Sequence, residues 1–373
     1  MSASPGPFHL EALSFSGLEG WAEDDPSQLF PALKDVLDHL QNAKPYRTGS
    51  LGVTVADLLP LLDAAAEARP QNAAEARAFF EIHCQPFRIV PHSPARGFVT
   101  GFYEPEVEVS ATPDATWRYP FYRRPDDLVD VDDDNRPVEM DADYRFGLQN
   151  PDGSIGFYPD RGAIDRGALE GRGLEIAWAK SKVDVFFAHV QGATRLVYPD
   201  GSVRRITYSA KAGHPFSGIG RYLVDCGELD LATISMQTIR AWLAAHTERV
   251  DEILWQNRSY IFFREADVEG LGKGPIAAAK VPLIAGRSLA VDRLIHTFGC
   301  PFFVSSQTLT HLDGGQPFRR LVLALDTGTA IVGPARGDIF TGSGFEAGNQ
   351  AGTISNAADF VILIPKSAAE RFC

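Results

Sequence analysis

Cysteine is scarce in this chain. Of 373 residues only four are cysteine, Cys84, Cys226, Cys300 and Cys373, and none stands in a CxxC or CxxH spacing. That pattern argues against a zinc centre, and no metal or cofactor is expected. Buried free thiols are the simplest reading, and a single disulfide in an oxidising compartment stays open. Basic charge is also in deficit, with 35 Lys and Arg against 48 Asp and Glu and a net charge of −13. Such a surface repels phosphate backbones, which excludes nucleic acid as a partner, and it disfavours anionic lipid. A neutral, sugar-based substrate remains open. Long apolar runs are missing too, so no segment reads as a membrane span. The first residues, MSASPGPFHLEALSF, lack the basic stretch and apolar run of a secretory signal, and no early cysteine could carry a lipid. The expectation is a mature form whose export segment has been removed.

What is present points to a globular protein of two domains. Apolar residues make up 45% and charged residues 22%, both ordinary for a soluble fold of this length. The 34 glycines and 25 prolines are closely spaced, which favours a strand- and turn-rich architecture. Helical periodicity is confined mostly to the first hundred residues, over Ala56 to Ala68 and Asn72 to Ile82 with Pro70 between. From Gly97 the pattern changes. Gly97 to Tyr103 reads as a strand, followed by strand-like runs at Phe121 to Arg123, Val185 to Val190, Arg195 to Tyr198 and Val203 to Thr207. Pro199-Asp200-Gly201 marks a hairpin turn between the last two. Asp126 to Asp143 holds eight aspartates. It reads as a solvated acidic loop, because Asn135 replaces the glycine of a calcium loop and no suitably placed glutamate follows. Leu229 to His246 reads as a helix that continues through Asp251 to Asn257, and Ile261 to Phe263 as a buried strand. Gly270 to Lys366 is again strand-rich. Leu321 to Leu325 and Phe360 to Ile364 are continuous apolar runs of the kind found in fully buried strands.

The chemistry is concentrated between those two runs. Asp326-Thr327-Gly328 follows one directly, and Asp338, in Gly337-Asp338-Ile339-Phe340-Thr341-Gly342-Ser343-Gly344, comes 12 residues later. Each aspartate is placed at the mouth of a strand among glycines. A carboxylate beside apolar strands is costly unless it is partnered or protonated. A carboxyl kept neutral near pH 7 is what a glycosidic general acid requires, and the glycines would let a bulky polymer approach. The competing reading, that both aspartates merely cap turns, stays open on these residues alone.

Beyond this segment, ordered blocks carry a family resemblance. Ala324-Leu325-Asp326-Thr327-Gly328, Ala330-Ile331-Val332-Gly333, Gly337-Asp338-Ile339-Phe340, Gly342-Ser343-Gly344 and Glu346-Ala347-Gly348 resemble the aspartate-rich "3D" segment of the membrane-bound lytic transglycosylase A family. Upstream, Phe98 to Pro105, Tyr119 to Arg123, Asp184 to Gly192, Lys211 to Phe216 and Ser235 to Arg240 are similar to the family's earlier blocks in the same order. The chain departs at Ala193-Thr194, where the family has Ser-Gly, and Asp359 is only a loose counterpart of the third family aspartate.

The resemblance implies a mainly β fold with α elements (α+β). A double-psi β-barrel would be built from residues 1–105 and 268–373, with a smaller β-barrel domain, 106–267, inserted between them and a groove separating the two. It implies a lyase that cleaves the β-1,4 bond between N-acetylmuramic acid and N-acetylglucosamine in peptidoglycan and leaves a 1,6-anhydro ring. Asp338 matches the family's catalytic aspartate and is assigned as sole acid and base. Asp326 is assigned a supporting role, its charge raising the pKa of Asp338. Thr100, Gly101, Tyr103, Gln191, Gly342, Ser343 and Gly344 are assigned to substrate binding. His214, in a Gly-His-Pro turn, is read as structural, while Arg240 and Arg287 are either peptide-stem contacts or solvated cations. Peptidoglycan glycan strands are the implied partner, with cell-wall synthesis or division proteins as further candidates. The implied protein is a monomer in the periplasm or cell envelope, associated with the outer membrane. Two readings compete with the lyase: an inverting β-1,4-glycan hydrolase using Asp326 and Asp338 as base and acid, and a non-catalytic glycan-binding protein.

Overall fold

The computed structural model describes residues 8–92, 96–266 and 272–372. Cys373, the N-terminal stretch up to residue 7 and the expected domain boundary at 267/268 lie outside them. The fold is mixed α+β and rich in sheet. It divides into two compact units, one formed by Met1–Tyr103, Gly270–Gly342 and Glu346–Cys373, the other by Glu104–Glu269 with Ser343–Phe345.

Among the described residues the first unit carries a nine-stranded sheet. Its order is Phe8–Ala12, Cys84–Pro91, Asp359–Pro365, Pro301–Ser306, Phe318–Asp326, Ser288–Val291, Arg336–Ser343, Phe98–Glu104 and Ser355–Ala357. The two apolar runs form strands at its heart, with Leu321, Leu323, Ile362 and Leu363 fully buried beside Phe302. Both faces are covered, which is why these strands do not alternate with polar residues. Helices Leu29–Asn42, Val55–Glu67 and Ala73–His83 add Val36, Leu58 and Phe80 to the same core. Local chemistry sets their starts. Thr54 and Asp57 form a reciprocal capping box, and the Asn72 side chain accepts from the Glu75 amide at 3.0 Å. Arg287 is neither solvated nor a surface contact. It is buried against Asp24 at 2.8 Å and donates to the Leu321 carbonyl. Cys84 and Cys300 are buried free thiols in this core, whereas Cys226 is exposed, contrary to expectation.

The second unit carries a six-stranded sheet in the order Ile261–Glu265, Val203–Lys211, Ala193–Val197, Glu106–Ser110, Glu175–Ala179 and Tyr119–Tyr122. The expected strand over Val185 to Val190 is instead part of the helix Lys182–Gln191. Valine and phenylalanine favour strands only weakly and according to context. Here the Ser181 side chain caps the Asp184 amide, Gly192 closes the far end, and Val185 to His189 are buried. The expected helix from Leu229 is also shorter. A Ser235–Thr238 capping box starts it only at Met236, it ends at Ala245, and Val250–Leu254 is a separate short helix. In the acidic loop the Asp132 carboxylate accepts from the amides of Asp134 and Asn135, and Arg124 and Arg136 pair with Asp130 and Asp133.

This unit also holds a buried ionic cluster. Glu104, fully buried, accepts from Arg195 Nε at 3.0 Å, from Arg205 Nη2 at 2.9 Å and from the Ser343 hydroxyl at 2.6 Å. Arg240 pairs with Asp184 at 2.6 Å. His214 is buried, with its Nε2 against the Tyr158 carbonyl at 2.7 Å, a structural position as expected.

Three buried histidines make the fold acid-sensitive. Burial lowers His214, lowers His189 well below the usual imidazole range, and brings His296 down to about 4. Such groups are neutral in the folded chain but take up protons near pH 6.5 once unfolded. Stability is therefore intact above about pH 6.5 and falls as pH drops below it, by ~1.4 kcal/mol per pH unit for each histidine still neutral in the fold. Chemical denaturation at pH 7.5 and pH 5 should show this loss, and His296→Leu should reduce the slope. An unchanged midpoint across that range would contradict the assignment.

Candidate functional site

Asp326 and Asp338 are brought together by a short central strand. Ala290, in Ser288–Val291, pairs in parallel with Asp326 on one side and antiparallel with Asp338 on the other. Residues paired at one level of a sheet point to the same face, and two strand spacings separate their backbones by roughly 10 Å. Asp326 ends its strand, as the sequence suggests. Asp338 does not sit at a strand mouth but is the third residue of Arg336–Ser343.

Both carboxyls are crowded by protein yet keep some solvent exposure. Asp326 accepts from the Ala278 amide at 3.1 Å, and burial pushes its carboxyl up to about 6 despite that bond. Asp338 is likewise raised by burial. The Thr100 hydroxyl, which donates to its Oδ1 at 2.5 Å, and the positive Arg336 pull it partly back. The two carboxyls are coupled, and the charge on Asp338 helps to raise Asp326. Arg336 does not lock Asp338 in an ion pair. Its guanidinium reaches the Thr100 hydroxyl at 2.8 Å.

Thr100 thus lies at the site. Gly101, one residue on, is there for packing: a Cβ would come within 2.7 Å of the Ile354 side chain and 2.8 Å of the Ala351 Cα. Tyr103 is buried, its ring against Gly348. Gly342 and Gly344 have φ of +126° and +86°. These left-handed values make the turn from the Asp338 strand into the helix Gly344–Ala351 without a Cβ clash. Ser343, between them, gives its hydroxyl to Glu104. Gln191 ends the helix Lys182–Gln191 in the other unit. Arg336 and Ala290 escaped the sequence reading. The signal for Arg336 was its place two residues before Asp338, since strand alternation puts the two on one face.

Comparison with known proteins places the whole chain among related ones. The MltA specific insert domain matches residues 98–264 and the 3D domain matches residues 287–364. The membrane-bound lytic murein transglycosylase A of Escherichia coli is 34% identical over 260 residues. The match takes in 68% of this chain and 61% of that protein, so it spans less than two thirds of the relative's length. A crystal structure of a membrane-bound lytic murein transglycosylase from Agrobacterium tumefaciens is 65% identical. It superposes with a TM-score of 0.93, covering 98% of this chain and all of that one. The crystal structure of E. coli MltA with bound chitohexaose is 26% identical, with a TM-score of 0.67 over 96% of this chain and 94% of that one. The chain belongs to the membrane-bound lytic murein transglycosylase A family.

Proposed function

We propose that the protein is a lytic transglycosylase that cleaves the β-1,4 MurNAc–GlcNAc bond of peptidoglycan and closes a 1,6-anhydro ring on the muramoyl residue. The observation that carries this reading is the raised, hydroxyl-held carboxyl of Asp338 on a sheet face it shares with Asp326. Family membership supports it, as does the chitohexaose bound to the E. coli relative.

Asp338 enters protonated and gives its proton to the glycosidic oxygen as the C1–O bond breaks. The same carboxylate then takes the proton of the C6 hydroxyl as O6 attacks C1. Attack within one sugar ring has a high effective molarity and needs no second carboxylate to activate water. Asp326 has the supporting role of a second carboxyl on that face, one that holds the sugar by hydrogen bonding. Thr100 positions the catalytic carboxyl. In the sheet-bearing unit Gly101, Tyr103 and Gly342 are proposed for the substrate side, Gly101 and Gly342 through backbone shape; in the other unit Gln191, Ser343 and Gly344 are proposed as sugar contacts of its own. The unit holding the nine-stranded sheet is the proposed catalytic domain, of double-psi barrel type, and residues 106–267 the proposed insert. Among the described residues no helix is long and apolar enough to cross a membrane. We place the protein in the cell envelope, on the strength of the membrane-bound names of its relatives.

The first step needs the protonated carboxyl. Turnover should therefore be highest on the acidic side and fall as pH climbs through the raised pKa of Asp338. A pH profile of muropeptide release from purified sacculi checks this, and a rate that rises towards alkaline pH would contradict it. The same digests, read by mass spectrometry, test the function itself. Anhydromuramoyl ends support the lyase, and free reducing ends would identify a hydrolase.

A further inference from the structure

The Thr100 hydroxyl has a single proton, and its neighbours decide where that proton goes. Arg336 Nη2 donates to Thr100 Oγ1 at 2.8 Å. A guanidinium has only donors, so the hydroxyl must accept there. Thr100 then donates its own proton to Asp338 Oδ1 at 2.5 Å. Arg336 is itself held in place: its Nη1 donates to the Gly337 carbonyl, and its guanidinium lies 5.6 Å from the centre of the Phe98 ring. Nothing in the sequence blocks shared with the family singles out this arginine.

We propose that Arg336 is a positioning residue which, through the Thr100 hydroxyl, commits Oδ1 of Asp338 to accepting a hydrogen bond and so reserves Oδ2 as the atom that gives and recovers the catalytic proton. This rests on the reading of Asp338 as acid and base. In the cleavage step the Oδ2 proton passes to the glycosidic oxygen, which leaves with the C1–O bonding pair. In ring closure O6 supplies the pair for the new bond to C1 and its proton returns to Oδ2. A proton on Oδ1 would face the wrong partner, and the hydroxyl would have to turn before each turnover.

The charged surroundings are few. Arg336 comes from the strand of Asp338 itself and Asp326 from the strand beyond Ser288–Val291, which contributes no charge between them. Lys280 acts on Asp326 from the preceding loop. Glu346 is on the helix that follows. The strand Phe98–Glu104 brings the Thr100 hydroxyl.

The test is a cycle of Arg336→Met and Thr100→Val, alone and combined, on the full chain labelled with 13C at the aspartate side-chain carboxyl carbons, with Asp338→Asn to assign the resonance. Both single variants should move the Asp338 titration to higher pH. At a pH where Asp338 is protonated in every variant, each should lower kcat about tenfold with KM unchanged. The double variant should be no slower than the slower single one, because both act on one hydroxyl. Arg336→Lys, which keeps charge and donor, should stay near the wild-type titration and guards against misreading a folding defect. The proposal is overturned by an unmoved Asp338 titration in Arg336→Met, by a change in KM alone, or by losses that multiply to roughly a hundredfold in the double variant. The titration is read on resting protein. If the chain released no anhydro product, the proposed function would fail while the role of Arg336 in holding the carboxyl would still be decided.

Discussion

Asp338→Asn is expected to abolish anhydromuropeptide release while leaving glycan binding in place. The amide is nearly the same size as the carboxyl and can still accept from Thr100 through its carbonyl, so the strand Arg336–Ser343 has no reason to move. What it loses is the titrating proton. General acid–base catalysis contributes about 10²–10⁴-fold to a rate, and here one group is asked to serve both halves of the reaction. The loss should therefore reach the upper end of that range in kcat, with binding of a chitooligosaccharide changed less than about threefold, under 1 kcal/mol. Asp326→Asn separates the two carboxyls. It keeps a group that can accept from the Ala278 amide and removes only a charge, so a smaller loss in kcat is expected. If Asp326→Asn instead abolished turnover as completely as Asp338→Asn, the paired-carboxylate hydrolase would gain ground. Substantial activity in Asp338→Asn would remove the assignment altogether.

The second large effect is on stability. Glu104→Ala should destabilise the inserted unit by about 3–5 kcal/mol, the usual cost of removing one partner from a buried charge pair. Glu104 and Arg205 are both buried, and the carboxylate also receives Arg195 and Ser343. Deleting it leaves buried positive charge without the group that neutralises it. For a unit of this size the corresponding fall in melting temperature is about 6–20 °C. Glu106→Ala is the contrast. Its ion pair with Arg195, at 3.2 Å, involves a side chain that is 44% exposed, and such pairs contribute less than about 1 kcal/mol. Calorimetry of the two variants checks the ranking. Equal melting temperatures would mean that the cluster is dispensable.

The sequence was most legible where one physical signal acted alone. The runs Leu321 to Leu325 and Phe360 to Ile364 are strands because nothing but burial on both faces suits them. The turn at Pro199-Asp200-Gly201 joins antiparallel strands as its chemistry dictates. Asp326 and Asp338, 12 residues apart in the chain, are the two residues that one short strand brings together. Legibility failed where partners distant in the chain decide the outcome. The strand Phe8–Ala12 exists because Cys84–Pro91 pairs with it, and neither segment advertises the other. Val185 to Val190 looks extended by composition, yet the Ser181 cap and a buried face make it helical. Arg287 reads as a surface cation until Asp24, at the other end of the chain, is seen to enclose it. At the site itself the aspartates were visible but their electrostatics were not. Only the sheet order brings Thr100 to Asp338.

In the proposed reaction a sugar hydroxyl, not water, attacks C1. Digestion of purified sacculi in water enriched in 18O, followed by mass spectrometry of the released muropeptides, tests it most directly. The account predicts products ending in an intact 1,6-anhydro ring with no heavy oxygen at C1. Incorporation of one 18O at the new reducing ends would show that water attacks, and would contradict it.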